Sequence, residues 1–380
     1  MKISLIENLN TITCFQKINL FTIIISFFLI GCSNGADSYT SISENKIELG
    51  KSIFFDKNLS NPVGQACSTC HAQETGFSDI HNQAVSEGAV SNAFGNRNAP
   101  SLSYNIFSPQ RYYNLEDKTF VGGLFLDGRS PNLIEQMIHP MLNPVEMNNT
   151  SIHDIAIKIK QASYFANLTS IYGNFESDNQ LIDYVADALV HYETSTEVNP
   201  FTSKYDYFLQ GRATLTLEEK KGLVLFQGKG LCAECHVTDP DPIQKKVLFT
   251  DFSYDNLGVP KNSTNPFYYQ PITVNPAGLN YIDLGLGSIV AQTNQNGKFR
   301  VPTLRNIALS APYFHNGSIQ KLEKVVRFYN RRDLNTGEFA PPEVAENVNK
   351  TELGNLKMTD EEELYLVAFL KTLTDGYHKP

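Results

Sequence analysis

The chain has 380 residues, with 31 Lys and Arg against 40 Asp and Glu, giving a net charge of −9 and an isoelectric point near 5.4. That balance argues against nucleic acid as a partner, because a phosphate backbone selects basic surfaces, and it suits electrostatic docking of a basic protein. With only six Cys, eight His and no Trp, the placement of each thiol and imidazole carries information.

The first segment holds Lys2 and Lys17, then an apolar run from Ile18 to Ile30, then Gly31-Cys32. This is the charged and apolar pair of a secretory leader, too short for a comfortable membrane span. Leu29-Ile30-Gly31-Cys32 resembles a bacterial lipobox, which makes residues 1–31 a lipoprotein signal peptide and Cys32 a lipidated first residue. An uncleaved anchor helix and an ordinary signal peptide are the alternatives. The polar stretch after it makes 32–43 a tether. A helix then leads into Cys67-Ser68-Thr69-Cys70-His71. Ser151-x-x-Asp154 opens another helix, and Leu181 to Tyr192 reads as a further one. A join is expected between Asn199 and Thr214, where Pro200 and Gly211 flank a short aromatic segment. Thr216-x-x-Glu219 is a capping box, followed by Leu217, Leu223, Val224 and Phe226 at helical spacing up to Gly228 and Gly230. That helix delivers the chain into Cys232-Ala233-Glu234-Cys235-His236. Asp239 to Gly287 is rich in Asn, Pro, Gly and Tyr and reads as loop with short strands. A last helix starts at Thr359-x-x-Glu362 and gathers Leu366, Val367, Leu370 and Leu373 on one face. The expected fold is mainly α, two cytochrome c-like haem domains with long loops and little β. They span 44–205 and 206–380, with the C-terminal helix a candidate to pack on the first.

The two Cys-x-x-Cys-His motifs dominate the chemistry. Two thiols add across the vinyl groups of a haem and the adjacent His binds its iron, so each motif reads as c-type haem attachment. Cys67, Cys70 and His71 hold one haem; Cys232, Cys235 and His236 hold the other. A disulfide, a thiol-exchange pair or half a zinc site would account for Cys-x-x-Cys alone, but not for a His directly after each pair. The other two thiols, Cys14 and Cys32, lie in the N-terminal targeting region, so no disulfide framework remains. Covalent haem places the globular part outside the inner membrane, on the periplasmic side: lipid-anchored through Cys32, or soluble there if the leader is an ordinary signal peptide.

The chain resembles the bacterial dihaem cytochrome c peroxidase family, MauG included, over nearly the whole mature sequence. The resemblance rests on Leu49-Gly50-Lys51 to Phe55-Asp56, Arg97-Asn98-Ala99-Pro100-Ser101-Leu102, Asp127-Gly128-Arg129, Glu135-Gln136 and Asn143-Pro144-Val145-Glu146-Met147. It continues through Phe299-Arg300-Val301-Pro302-Thr303-Leu304-Arg305-Asn306 and Ala311-Pro312-Tyr313-Phe314-His315-Asn316-Gly317. A peroxidase haem needs an open iron position and a carboxylate that moves the peroxide proton from the inner to the outer oxygen. The resemblance assigns that role to Glu146, with Gln136 beside it, above the first haem.

The resemblance also sets the remaining expectations. In relatives that rest inactive, a His follows Ser-x-Gly after the first motif; here Ser86-Glu87-Gly88 precedes Ala89, so the first iron is expected open in the ferric state, with loop His81 the nearest alternative ligand. The second iron takes Tyr329, as in MauG, where family peroxidases place a Met; Met358 or an open site is the alternative. A phenolate favours ferric and higher-valent iron. The family Trp before Asp-Gly-Arg is replaced by Leu126, which cannot act as a hopping relay and leaves direct tunnelling or a nearby Tyr or Phe. Arg300 matches an arginine near a haem propionate. A calcium ion is expected between the halves on the Asn98 side chain and the Ser310 and Pro312 carbonyls.

The implied activity is a cytochrome c peroxidase. It would reduce hydrogen peroxide to water with electrons from a small cytochrome c or cupredoxin, the membrane touched only through the lipid anchor, with a homodimer possible as in relatives. The alternatives are MauG-like oxidation of residues on a partner protein and a non-enzymatic electron-transfer dihaem cytochrome.

Overall fold

The computed structural model describes residues 35–334 and 336–378. The leader, the lipobox and Cys32 lie outside the described residues. Within them, no helix is long and apolar enough to cross a membrane.

Helix α1 (Gly35–Phe54) leads to the first motif, whose thiols fall on the single turn α2 (Cys67–Cys70). Residues 35–43, expected as tether, continue α1: once a helix is nucleated each added residue brings a hydrogen bond, and no Pro interrupts the run. A hairpin of β1 (Tyr112–Asn114) and β2 (Thr119–Val121) precedes α3 (Leu133–Leu142), α4 (Ile152–Gln161), α5 (Phe165–Tyr172) and α6 (Asp178–Glu193). Ser151 caps α4 by accepting from the Asp154 amide at 3.2 Å, as its spacing predicts. Helix α6 buries Leu181, Ile182, Val185, Ala186, Leu189 and Tyr192. Each large apolar side chain so buried contributes about 1.5–3 kcal/mol relative to exposure.

The second half opens with α7 (Lys204–Leu209) and α8 (Leu217–Gln227). The capping box is formed: the Thr216 amide donates to Glu219 Oε2 at 2.7 Å and Thr216 Oγ1 accepts from the Glu219 amide at 3.2 Å. The long loop region holds β3 (Tyr254–Asp255), which pairs antiparallel with β4 (Phe299–Arg300), two 3-10 turns at Pro266–Tyr269 and Gly278–Asn280, and the short α9 (Leu286–Val290). Helices α10 (Leu322–Arg331) and α11 (Asp360–Lys371) complete the chain. Helix α11 packs on α8 and α10, in the second core and not on the first.

Two apolar cores result, one built by α1, α3, α4 and α6, the other by α8, α10 and α11 with the loops around Phe249 and Tyr313. Each motif is entered by a helix that crosses a later helix of its own half at a glycine. A Cβ on Gly50 of α1 would stand 1.9 Å from the Ala188 carbonyl oxygen, and one on Gly222 of α8 would stand 2.0 Å from that of Tyr365. Polar ties link the halves. Arg97 bonds both oxygens of Asp283 at 2.7 Å and reaches Asp127 at 2.6 Å. Tyr104 donates to Asp375 at 2.7 Å, and Tyr254 donates to the Gly122 carbonyl at 2.6 Å.

Candidate functional site

Each motif closes one edge of a large cavity. The first is bordered by Cys67, Cys70 and His71, the second by Cys232, Cys235 and His236. Counting space open to solvent they hold about 1760 and 1920 Å³. The two histidines are held alike. His71 Nδ1 lies 3.1 Å from the Phe77 carbonyl and His236 Nδ1 lies 2.9 Å from that of Phe249. A carbonyl accepts only from Nδ1–H, which leaves Nε2 unprotonated as the ligand atom. Burial lowers both imidazoles below their usual range, His236 to about 4, so both stay neutral at pH 7.

The four motif thiols form no disulfide. Burial pushes Cys67, Cys70 and Cys232 up to about 12, and Cys235 up as well. Such thiols are poor thiolates for exchange, and suited to an apolar prosthetic group lying against them.

Six residues border both cavities: Asn98, Ala99, Pro100, Asn105, Leu126 and Arg300. The Arg300 amide donates to the Leu126 carbonyl at 2.8 Å, and Arg300 Nη2 donates to Asn105 Oδ1 at 2.9 Å. Its Nη1 is buried with no partner among the described residues, and burial holds the guanidinium below its ordinary value. A buried cation with a free N–H toward a cavity calls for an anionic ligand group. A carboxylate-bearing haem on each motif fits these residues.

Glu146 and Gln136 both border the first cavity, with Met137, Met141 and Met147. The proline of Asn143-Pro144 turns the chain out of α3, and Asn143 Nδ2 donates to Glu146 Oε1 at 2.9 Å. Burial raises the Glu146 carboxyl, while Arg129 and the Asn143 bond pull it down less strongly. Arg129 stacks on Phe125 at 3.5 Å and bonds Asp127 at 3.0 Å. Arg129 and Asn143 lie within motifs of the sequence, but their spacing from Glu146 offers no periodic signal of this role.

The loop carrying Ala89 is pinned beside the same segment. The Ala89 amide donates to the Glu146 carbonyl at 2.7 Å, and a Cβ on Gly88 would stand 2.4 Å from the Val145 carbonyl oxygen. Neither Ala89 nor the exposed His81 borders the cavity. Tyr329 does border the second, and burial raises its phenol far above the ordinary range. Met358 lies in the second core, outside that cavity's lining. Asn98, Ser310 and Pro312 share the wall of the second cavity, and Asn98 Nδ2 donates to the Gln83 and Ala84 carbonyls at 3.3 Å, which leaves Oδ1 free to accept or ligate.

Residues 44–214 match the model of the di-haem cytochrome c peroxidase family, which includes MauG. The chain is 32% identical over 372 residues to the methylamine utilization protein MauG of Paracoccus denitrificans, covering 93% of this chain and 94% of that one. It is 32% identical over 330 residues to the cytochrome c551 peroxidase of Nitrosomonas europaea, covering 86% and 79%. Among solved structures it is similar to the dihaem peroxidase BthA of Burkholderia thailandensis, with a TM-score of 0.76, 32% identity, and coverage of 87% and 86%.

Proposed function

This chain belongs to the dihaem cytochrome c peroxidase and MauG family and is a peroxidase, and from that premise we propose how its two cavities divide the work. The first cavity is the peroxide site and the second the electron-entry site. The observation that carries this is the difference between their linings: the buried phenol Tyr329 borders the second, while the first holds Glu146 and Gln136 together and is bordered by no tyrosine among the described residues. Bound haem supplies the iron that takes peroxide and the ring system that carries electrons.

His71 and His236 each present Nε2 as proximal ligand, oriented by a backbone carbonyl. Glu146, held by Asn143, accepts the proton from the inner peroxide oxygen and returns it to the outer one, so that water leaves. Gln136 orients the peroxide beside it. Arg300 supplies the cationic partner for propionate carboxylates. Tyr329 would offer its phenol oxygen to the iron of a haem in the second cavity. Asn98 with the Ser310 and Pro312 carbonyls would hold calcium, a hard cation served by few protein oxygens plus water. The two haem domains are assigned to 44–205 and 206–380. Cys32 tethers the protein to the periplasmic face of a bacterial membrane, where a small cytochrome c or cupredoxin delivers electrons; a homodimer is compatible with this arrangement.

The test is peroxide-dependent oxidation of a reduced monohaem cytochrome by the fully ferric protein lacking its anchor, followed by absorbance. Turnover without a reductive lag is expected from Ala89. A second reading, oxidation of residues on a partner protein, is favoured by Tyr329 in the second cavity and opposed by Leu126 in the shared wall. No cytochrome turnover, with peroxide still producing a long-lived oxidised protein, would favour it.

A further inference from the structure

Helix α6 ends on Glu193, a carboxyl that none of the roles above employs. The residue is 5% exposed and borders the first cavity. Asn199 Nδ2 holds its backbone carbonyl at 2.6 Å, and no donor among the described residues bonds its side-chain oxygens.

Charged groups on the surrounding elements are committed elsewhere. On α1, Lys46 pairs with Asp187 and Lys51 with Glu197, and Glu48 adds only negative charge. On α4, Lys158 bonds the Ser60 carbonyl and Asn149, while His153 and Lys160 pair with Asp178 and Asp154 bonds Thr150. On α3, Glu135 bonds Asn132 and the His139 ring meets Phe125 edge to face. On α2, Cys67 and Cys70 carry no charge, whether as buried thiols or as haem thioethers. Beside it on α6, Tyr192 donates to Glu197. An unpaired carboxylate is costly in such a place, and burial alone pushes Glu193 up to about 8.

We propose that Glu193 is the proton-uptake group linked to reduction of the first haem, taking one proton from solvent as that haem gains one electron from the donor protein. The ionised carboxyl becomes the acid, no bond to iron changes, and charge in the cavity is conserved. An added electron in a low-dielectric site stabilises the neutral acid over the carboxylate. The inference rests on haem attachment at Cys67.

The sign follows. Below the oxidised-state pKa the group is already neutral and the potential does not vary with pH. Above it, reduction must draw in a proton, and the potential falls as pH rises. One proton per electron makes each tenfold drop in proton concentration a tenfold change in the equilibrium, a limiting slope of about 59 mV per pH unit.

The test is a spectroelectrochemical titration of the first haem in the full holoprotein from pH 6 to 10, with a pyridine haemochrome assay to establish that haem is attached. Wild type should be flat at low pH and slope above about pH 8; Glu193→Gln should be flat throughout. A merely structural carboxyl would shift the potential by a constant and leave the slope. A flat wild type, or a slope retained in the variant, overturns the proposal, whereas an absent first haem overturns the attachment reading instead. Should the variant fail to take up haem, the redox infrared difference spectrum of wild type decides: a protonated-carboxyl band must appear on reduction at pH 9, and its absence overturns the proposal.

Discussion

Replacing Glu146 by Gln removes one titratable oxygen and little else. Gln has nearly the same volume, and Asn143 Nδ2 can still donate to the remaining carbonyl oxygen, as it does to Glu146 Oε1 at 2.9 Å. Stability should therefore change by no more than about 0.5 kcal/mol. Peroxide turnover, however, loses its proton carrier. General acid–base catalysis contributes roughly 10²–10⁴-fold, equivalent to about 2.7–5.4 kcal/mol of barrier. The assay is cytochrome oxidation at saturating donor, together with stopped-flow absorbance of the first haem mixed with peroxide. The pH profile adds a second readout. Burial raises Glu146 above 4.5 despite the opposing pull of Arg129 and Asn143, and the working form is the carboxylate. Wild-type rate should fall as pH drops through that raised value, and the limb should vanish in the variant. A Glu146→Gln protein with wild-type turnover and an unchanged acid limb would refute the assigned role.

Three further outcomes follow from the geometry. Tyr329→Phe should keep the covalent second haem but lose the oxygen ligand, seen as a changed visible and paramagnetic resonance spectrum and a higher potential; an unchanged spectrum would mean the phenol never binds iron. Although burial alone would raise Asp283, the Arg97 guanidinium and its hydrogen bonds hold it down at about 2 against 3.8. Its pairing therefore stabilises the fold above pH 4 and is lost as pH falls toward 2, roughly 2 kcal/mol at about 1.36 kcal/mol per unit; Asp283→Asn should flatten that part of the melting temperature profile. Gly222→Ala places a Cβ 2.0 Å from the Tyr365 carbonyl oxygen, and overpacking the α8–α11 crossing should cost about 1–3 kcal/mol, read by calorimetry.

Much of this was legible in the residues because the signals are local. A capping box needs four residues, and Thr216 and Thr359 open helices as their spacing predicts. The attachment motifs need five, and each lies at a cavity edge. Glu146, Gln136, Tyr329 and Arg300 were reached through motif resemblance and do border the cavities. What stayed hidden depends on distant pairing. The carbonyls of Phe77 and Phe249 that orient the histidines are contributed by backbone, which no residue type advertises. The isolation of Glu193 exists only once α1, α3 and α4 are packed with their charges turned elsewhere. Residues 35–43 read as tether by composition, yet they prolong α1, because extending a helix already nucleated adds one hydrogen bond for each residue fixed.

The first cavity is not the work of the first half alone. Arg300, Phe267, Thr273 and Val274 come from the second half, yet they border the first cavity. The first half folded by itself would therefore leave that cavity open where those side chains belong. The later half closes the gap and carries the second attachment motif with it. The two cavities are thus completed together, and a substitution that loosens the docking of the halves should disturb the first cavity as well as the second.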